Sequence, residues 1–150
     1  MPLQRDTSAG YMTNLAGRLF VRELERNLAP LGLTPAHMPV LLALEWGEAL
    51  TQKDLATKAR VEQPTMAATL NRMERDGLVA RHINPADGRS MLVQLTPLAR
   101  AKLPAVEQVV SAINALVLEQ LEPAERSQYF ALLGKVIAVL QAQDDAAPPP

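Results

Sequence analysis

The 150-residue chain contains no cysteine, and aromatic residues make up only 3% of it. The first absence excludes disulfides, a thiolate metal site and a cysteine redox switch. The second leaves the core to aliphatic Leu, Ala and Val, and because Leu and Ala are strong helix formers the composition leans helical. Histidine is scarce as well: His37 and His82 are the only two, too few for a histidine-rich metal site. The longest uninterrupted apolar stretch, Met38 to Leu44, is far too short to span a bilayer. Met1 to Gly10 lacks the apolar core that a signal peptide needs. These absences predict a soluble, cytoplasmic protein without cofactor, metal or membrane partner. No Gly-rich loop, Cys–His pair or paired-carboxylate motif stands out, so no catalytic residue is assigned and an enzyme is not expected.

Charge is distributed unevenly. The net formal charge is −1, yet Lys53 to Lys102 holds nine Lys/Arg against five Asp/Glu, and the rest of the chain is acidic. A basic block inside an acidic frame suits a polyanion-binding face on a soluble body.

Periodicity and punctuation divide the chain into six helices and one hairpin. Tyr11 to Ala29 reads as a helix with Leu15, Leu19, Leu24 and Leu28 on one face, ended by Pro30 and Gly32. Thr34-Pro35 caps a second helix that reaches Leu44 or Trp46 before Gly47. Thr51 and Asp54 form a capping box for a short helix ending near Ala59. After the turn Arg60-Val61, a longer helix opens at Glu62-Gln63-Pro64 and stops at Gly77. Leu78 to Ile83 and Met91 to Leu95 are strands, with Asp87-Gly88 as the hairpin signal between them. Thr96-Pro97 starts a long helix that Pro104 kinks or leaves irregular in its first turn, and Pro123 with Glu125 starts a last one reaching Leu140. The polar, proline-ended remainder is expected to be a disordered tail. The fold class is mainly α (α+β), six helices with a two-stranded β-hairpin.

Two helices joined by a short turn and followed by a hairpin make a winged helix-turn-helix, a DNA-binding arrangement. In the second of those helices Met66, Leu70 and Met73 share a face that must be buried. The opposite face carries Pro64, Thr65, Ala67, Ala68, Asn71, Arg72 and Arg75. Small residues let a helix approach the floor of a major groove, Asn and Gln pair with adenine edges, and Arg pairs with guanine or phosphate. Gln63 lies in the first turn, where free N–H groups also favour a phosphate. Thr51 and Lys53, at the start of the preceding helix, join this DNA-contact set. At the hairpin tip Asp87, Arg89 and Ser90 flank Gly88; an arginine there suits a narrow minor groove, and Asp87 is expected to hold its guanidinium through an ion pair.

The run Asp87-Gly88-Arg89-Ser90-Met91-Leu92-Val93-Gln94-Leu95-Thr96 resembles the wing motif of the MarR family of regulators, Asp-x-Arg-Ser followed by apolar residues and Leu-Thr. Leu70 to Val79 is similar to that family's recognition-helix end and entry into the wing, and helix order fits over roughly residues 11 to 141. The resemblance implies a homodimer with intertwined terminal helices, using Leu15, Leu19, Val110, Ile113, Val117, Phe130 and Leu133. It implies a pseudo-palindromic duplex DNA operator, and a transcriptional repressor released by a small aromatic or phenolic effector. Lack of cysteine sets the chain apart from the peroxide-sensing branch. Ala68 stands where many relatives carry Arg, so direct readout falls to Gln63, Thr65, Asn71 and Arg72. Leu98-Ala99 stands where many carry Gly.

The implied divisions are a dimerisation segment over 1–34, the winged domain over 35–103, dimerisation helices over 104–141 and a tail over 142–150. Arg18, Arg22, His37, Met38 and Trp46 are the effector-site candidates, the arginines sharing a face suited to a carboxylate. The alternative for Arg18 and Arg22 is pairing with Glu23 or Glu25 or between subunits, and for Trp46 a place in the core. A winged helix used only for protein–protein contact is the rival function; it predicts an apolar exposed helix face, against which Arg72, Arg75 and Arg89 speak.

Overall fold

The structure, a computed structural model, describes residues 4–148. In chain order the elements are α1 (Ala9–Leu28), α2 (Met38–Ala43), β1 (Leu50–Thr51), α3 (Gln52–Ala59), α4 (Gln63–Arg75), β2 (Val79–Asn84), β3 (Asp87–Leu95), α5 (Pro97–Leu118) and α6 (Pro123–Ala146). The chain divides into two units, one up to Ser111 and one from Ala112.

In the first unit the helix ends follow from local chemistry. The Ser8 hydroxyl accepts from the Tyr11 N–H at 3.2 Å, so α1 starts two residues ahead of the expected Tyr11. The second helix is shorter than its sequence suggests. Pro39 has no N–H to give, so its first turn closes as a 3-10 turn over Pro35–His37 and the α-helix proper begins at Met38. Helix α4 ends in a paired-bond cap: Leu78 N–H reaches the Met73 carbonyl at 2.8 Å and Gly77 N–H the Glu74 carbonyl at 3.0 Å. Gly77 takes the left-handed conformation this requires, φ 72°. The same bond pair closes α3, with Val61 donating to Ala56 and Arg60 to Thr57. There the left-handed residue is Arg60, φ 54°, an unusual choice that fixes the tight turn into α4.

The sheet has three antiparallel strands in the order β1-β3-β2. The hairpin was legible in the sequence; β1 was not. It is two residues long, Leu50 opposite Val93 and Thr51 opposite Leu92, and only its distant partner makes it a strand. The core joins Leu28, Val40, Leu41, Leu44, Leu55, Met66, Leu70 and Met73 to Val93 and Leu95 of the sheet and to Ala99 and Val106 of α5. Each of the larger of these side chains contributes roughly 1.5–3 kcal/mol on burial, and together they seat α4 and the hairpin.

In the second unit, Glu122 caps α6 reciprocally with Glu125, whose carboxylate accepts the Glu122 N–H at 2.8 Å. Helix α6 runs to Ala146, so residues 142–146, read from composition as tail, continue it. Gln and Ala are good helix formers and no proline intervenes before Pro148. Phe130, Leu132, Val136, Ile137, Val139 and Leu140 are exposed on α6, which has no buried residue. Pro104 sits within α5, which is assigned as one helix through it. Among the described residues α5 has the length and composition of a membrane span; it nevertheless supplies Ala99 and Val106 to the core of the first unit.

Candidate nucleic-acid interface

Helix α4 presents the face its periodicity predicts. Met66, Leu70 and Met73 are at most 1% exposed, while Gln63, Pro64, Thr65, Ala68, Asn71, Arg72 and Arg75 face solvent. Ala67, expected on the open face, is half-buried, and Thr69 is buried beside the apolar row. The buried stripe is therefore one position wider on each side than the three residues that define it. Gln63 and Arg72 make no side-chain hydrogen bond or ion pair among the described residues, and Arg75 has only a long, exposed contact of 3.8 Å with Asp76. The face is polar, basic and largely uncommitted.

Asn71 is the exception. Its Oδ1 accepts from Arg81 Nη1 of β2 at 3.0 Å, and the same nitrogen donates to Glu74 Oε2 at 2.6 Å. A strand residue thus reaches back to two side chains on α4. In the sequence Arg81 shows only as charge, because no local spacing signals a pair ten residues apart across two elements.

The hairpin differs from expectation at its tip. Asp87 and Gly88 already belong to β3, and the turn is made by Pro85 and Ala86. Pro85 sets the first turn dihedral, and the Asn84 carboxamide accepts the Ala86 N–H at 3.0 Å, a local turn that outcompetes Asp-Gly. Asp87 Oδ1 accepts from the Arg89 backbone N–H at 3.0 Å. No Asp87–Arg89 ion pair forms among the described residues, which corrects the expected role: Asp87 fixes the backbone that carries Arg89 and leaves its guanidinium uncommitted. Ser90 is also internal, accepting from Asn84 Nδ2 at 3.0 Å and donating to the Asp87 carbonyl at 3.2 Å. The Thr51 hydroxyl caps α3 by accepting the Asp54 N–H at 3.1 Å, so it too serves structure, while Lys53 beside it is exposed and unpaired among the described residues.

A cavity of about 500 Å³ lies in the first unit, lined by Met38, Leu41 and Trp46 on one side and by Arg100, Pro104 and Val110 on the other, with Glu45 and Glu107 also in its wall. Of the five effector-site candidates it brings together two, Met38 and Trp46. Arg18 and Arg22 line a separate open groove on α1 with Asn14, Gly17 and Val21. His37 lines neither. Its Nδ1 accepts the Thr34 N–H at 3.1 Å, and burial holds its pKa below the ordinary 6.5, with Asp76 opposing and Arg72 adding to the shift. Trp46 is 82% exposed, which rules out the alternative that it is core. Arg100, missed in the sequence, donates to the Leu95 carbonyl at 3.4 Å and lies within 3.3 Å of the Cβ position that Gly47 leaves empty.

Comparison with known proteins places this geometry. The family model of the MarR family matches residues 31–90. The HTH-type transcriptional repressor Rv2887 of Mycobacterium tuberculosis is 32% identical over 136 residues, covering 91% of this chain and 98% of its own length. The chain belongs to the MarR family. Among solved structures, the transcriptional repressor CouR bound to a 23-mer DNA duplex superposes with a TM-score of 0.80 at 27% identity, covering 91% of this chain and 99% of that one. A MarR variant of E. coli in complex with operator DNA superposes at 0.78 and 27% identity, covering 85% and 91%. The protein is thus a MarR-family transcriptional regulator with six helices and a small antiparallel sheet. In this MarR-family fold α4 and the β2–β3 hairpin are the elements that the sequence likens to a recognition helix and a wing.

Proposed function

We propose that this regulator binds a pseudo-palindromic duplex operator as a homodimer in the cytoplasm and represses transcription until a small effector releases it. The observation that carries the reading is the exposed face of α4. Among the described residues Gln63, Thr65 and Arg72 stand free there and Arg75 has only its long contact with Asp76, on a helix held by three buried anchors, with the Arg89 guanidinium unpaired on the adjoining hairpin. Gln63, Thr65, Asn71 and Arg72 read base edges in the major groove, Pro64, Ala67 and Ala68 allow close approach, and Arg75 and Lys53 meet phosphates. Arg89 enters the flanking minor groove. Two relatives of the same fold are named as DNA complexes, and a curated relative is named a repressor, which supports the same direction here.

Each unit leaves apolar side chains open: Tyr11, Met12, Leu19 and Val21 on α1, and Leu116, Phe130, Leu132, Val136, Ile137, Val139 and Leu140 in the second unit. A surface so apolar calls for a partner, and a second copy of this chain is the occupant that also supplies the second recognition helix. The effector is an aromatic or phenolic molecule in the cavity between Met38, Trp46 and Arg100, the ring against Trp46 and an oxyanion on the Arg100 guanidinium. Because Trp46 is the single tryptophan, its fluorescence should change on titration with 4-hydroxybenzoate; no change up to millimolar concentration would remove this ligand class. The operator reading is tested by selecting bound duplexes from a random library at moderate salt. A pseudo-palindrome with half-sites about one helical turn apart supports it. Weak, salt-sensitive binding without enrichment overturns it in favour of a protein-contact role.

A further inference from the structure

We infer that Arg81 sets the base preference of the recognition helix by fixing the side-chain amide of Asn71 as a hydrogen-bond donor. The inference rests on the operator reading above and goes beyond it by naming the edge that Asn71 selects. A guanidinium only donates, so the Asn71 atom 3.0 Å from Arg81 Nη1 has to be the carbonyl oxygen Oδ1. The amide orientation is therefore settled by chemistry, and Nδ2 with its two hydrogens is the end left without a protein partner among the described residues. Arg81 is itself anchored by the 2.6 Å ion pair to Glu74, with its side chain only 21% exposed. Glu74 holds the cation, and the cation holds the oxygen end of the amide.

This arrangement changes what an asparagine reads. Pairing with adenine needs both ends of the amide, Oδ1 accepting from N6 and Nδ2 donating to N7. Here one lone pair of Oδ1 is used and the other lies beside a positive charge that repels an approaching N–H. Guanine offers two acceptors, N7 and O6, on its major-groove edge, which suits the two free Nδ2 hydrogens. The Asn71 position of the half-site is accordingly guanine, and Arg81, which need not touch DNA, acts as a positioning residue.

The test repeats the random-duplex selection with wild type, Arg81→Met, Glu74→Gln and Asn71→Ala. Wild type should enrich guanine at one half-site position that loses its preference in Asn71→Ala. In Arg81→Met that position should move toward adenine by roughly tenfold, the discrimination one bidentate pair provides. Glu74→Gln, at a more exposed residue, should move it the same way by less, and it serves if Arg81→Met does not fold. In the Asn71→Ala background Arg81→Met should change nothing at that position. Adenine already preferred by wild type, or a uniform loss of affinity over all sequences in both variants, would overturn the inference while leaving the operator reading in place. Absence of any enriched site for wild type would instead overturn both.

Discussion

In Thr96→Val a methyl group replaces the hydroxyl that joins the end of α4 and the start of β2 to the first turn of α5. The Thr96 Oγ1 donates to the Gly77 carbonyl at 2.6 Å and accepts the Ala99 N–H at 3.2 Å. Valine keeps the β-branched shape, so packing is preserved and the two hydrogen bonds are what is removed. Loss of the helix cap costs about 1 kcal/mol, and loss of the bond to Gly77 about another 1 kcal/mol. Near the melting temperature, a chain of this size loses roughly 2–4 °C per kcal/mol, so a fall of about 4–8 °C is expected. Circular dichroism melts at one fixed protein concentration measure it, because association shifts the midpoint by mass action. Thr96→Ser keeps the hydroxyl and should melt within about 2 °C of wild type, well short of the valine variant. A Thr96→Val midpoint within about 1 °C of wild type would show that these two bonds do not stabilise the fold.

Arg89→Ala should weaken operator binding by at least tenfold in fluorescence anisotropy while the sedimentation coefficient stays unchanged; unaltered affinity would remove the wing from the interface. Phe130→Asp should give a monomer by analytical ultracentrifugation and lose operator binding with it, since a carboxylate replaces an apolar side chain that is 58% exposed on the surface assigned to the second copy; tight binding by a monomeric form would contradict the dimer. Stability should fall with acid through His37. Its folded pKa lies below the unfolded value of 6.5 because of burial, so the unfolded chain takes up the proton first and stability is lost as pH drops below 6.5. Urea denaturation of wild type and His37→Asn between pH 7.5 and 5 should show a steeper decline in wild type, and parallel curves would assign the loss to other groups.

What the sequence revealed, and what it hid, follows from the range of the interactions involved. Met66, Leu70 and Met73 declare a buried face through spacing alone, and Gly77 marks the end of α4 because its left-handed cap is a local event. The wing flanks were equally plain from β-branched residues. Strand β1 was invisible, since two residues acquire strand character only opposite Leu92 and Val93. The hairpin tip was misplaced because two local signals competed, and Asn84-Pro85 prevailed over Asp87-Gly88 through the bond to Ala86. At the site, the exposed residues of α4 and the capping role of Thr51 were legible, whereas the uses of Asp87 and Ser90 were not. Their side chains could equally have met DNA, and only three-dimensional placement shows them occupied by backbone groups. Arg81 and Arg100 were missed for the same reason, each acting on partners distant in sequence or held by backbone.

If two copies of α4 and two wings read one duplex, hydroxyl-radical footprinting of the protein on its selected duplex should show it. Two protected patches are expected on one face, about one helical turn apart, each flanked by a minor-groove protection that disappears in Arg89→Ala. A single patch, or protection that Arg89→Ala leaves intact, would contradict it.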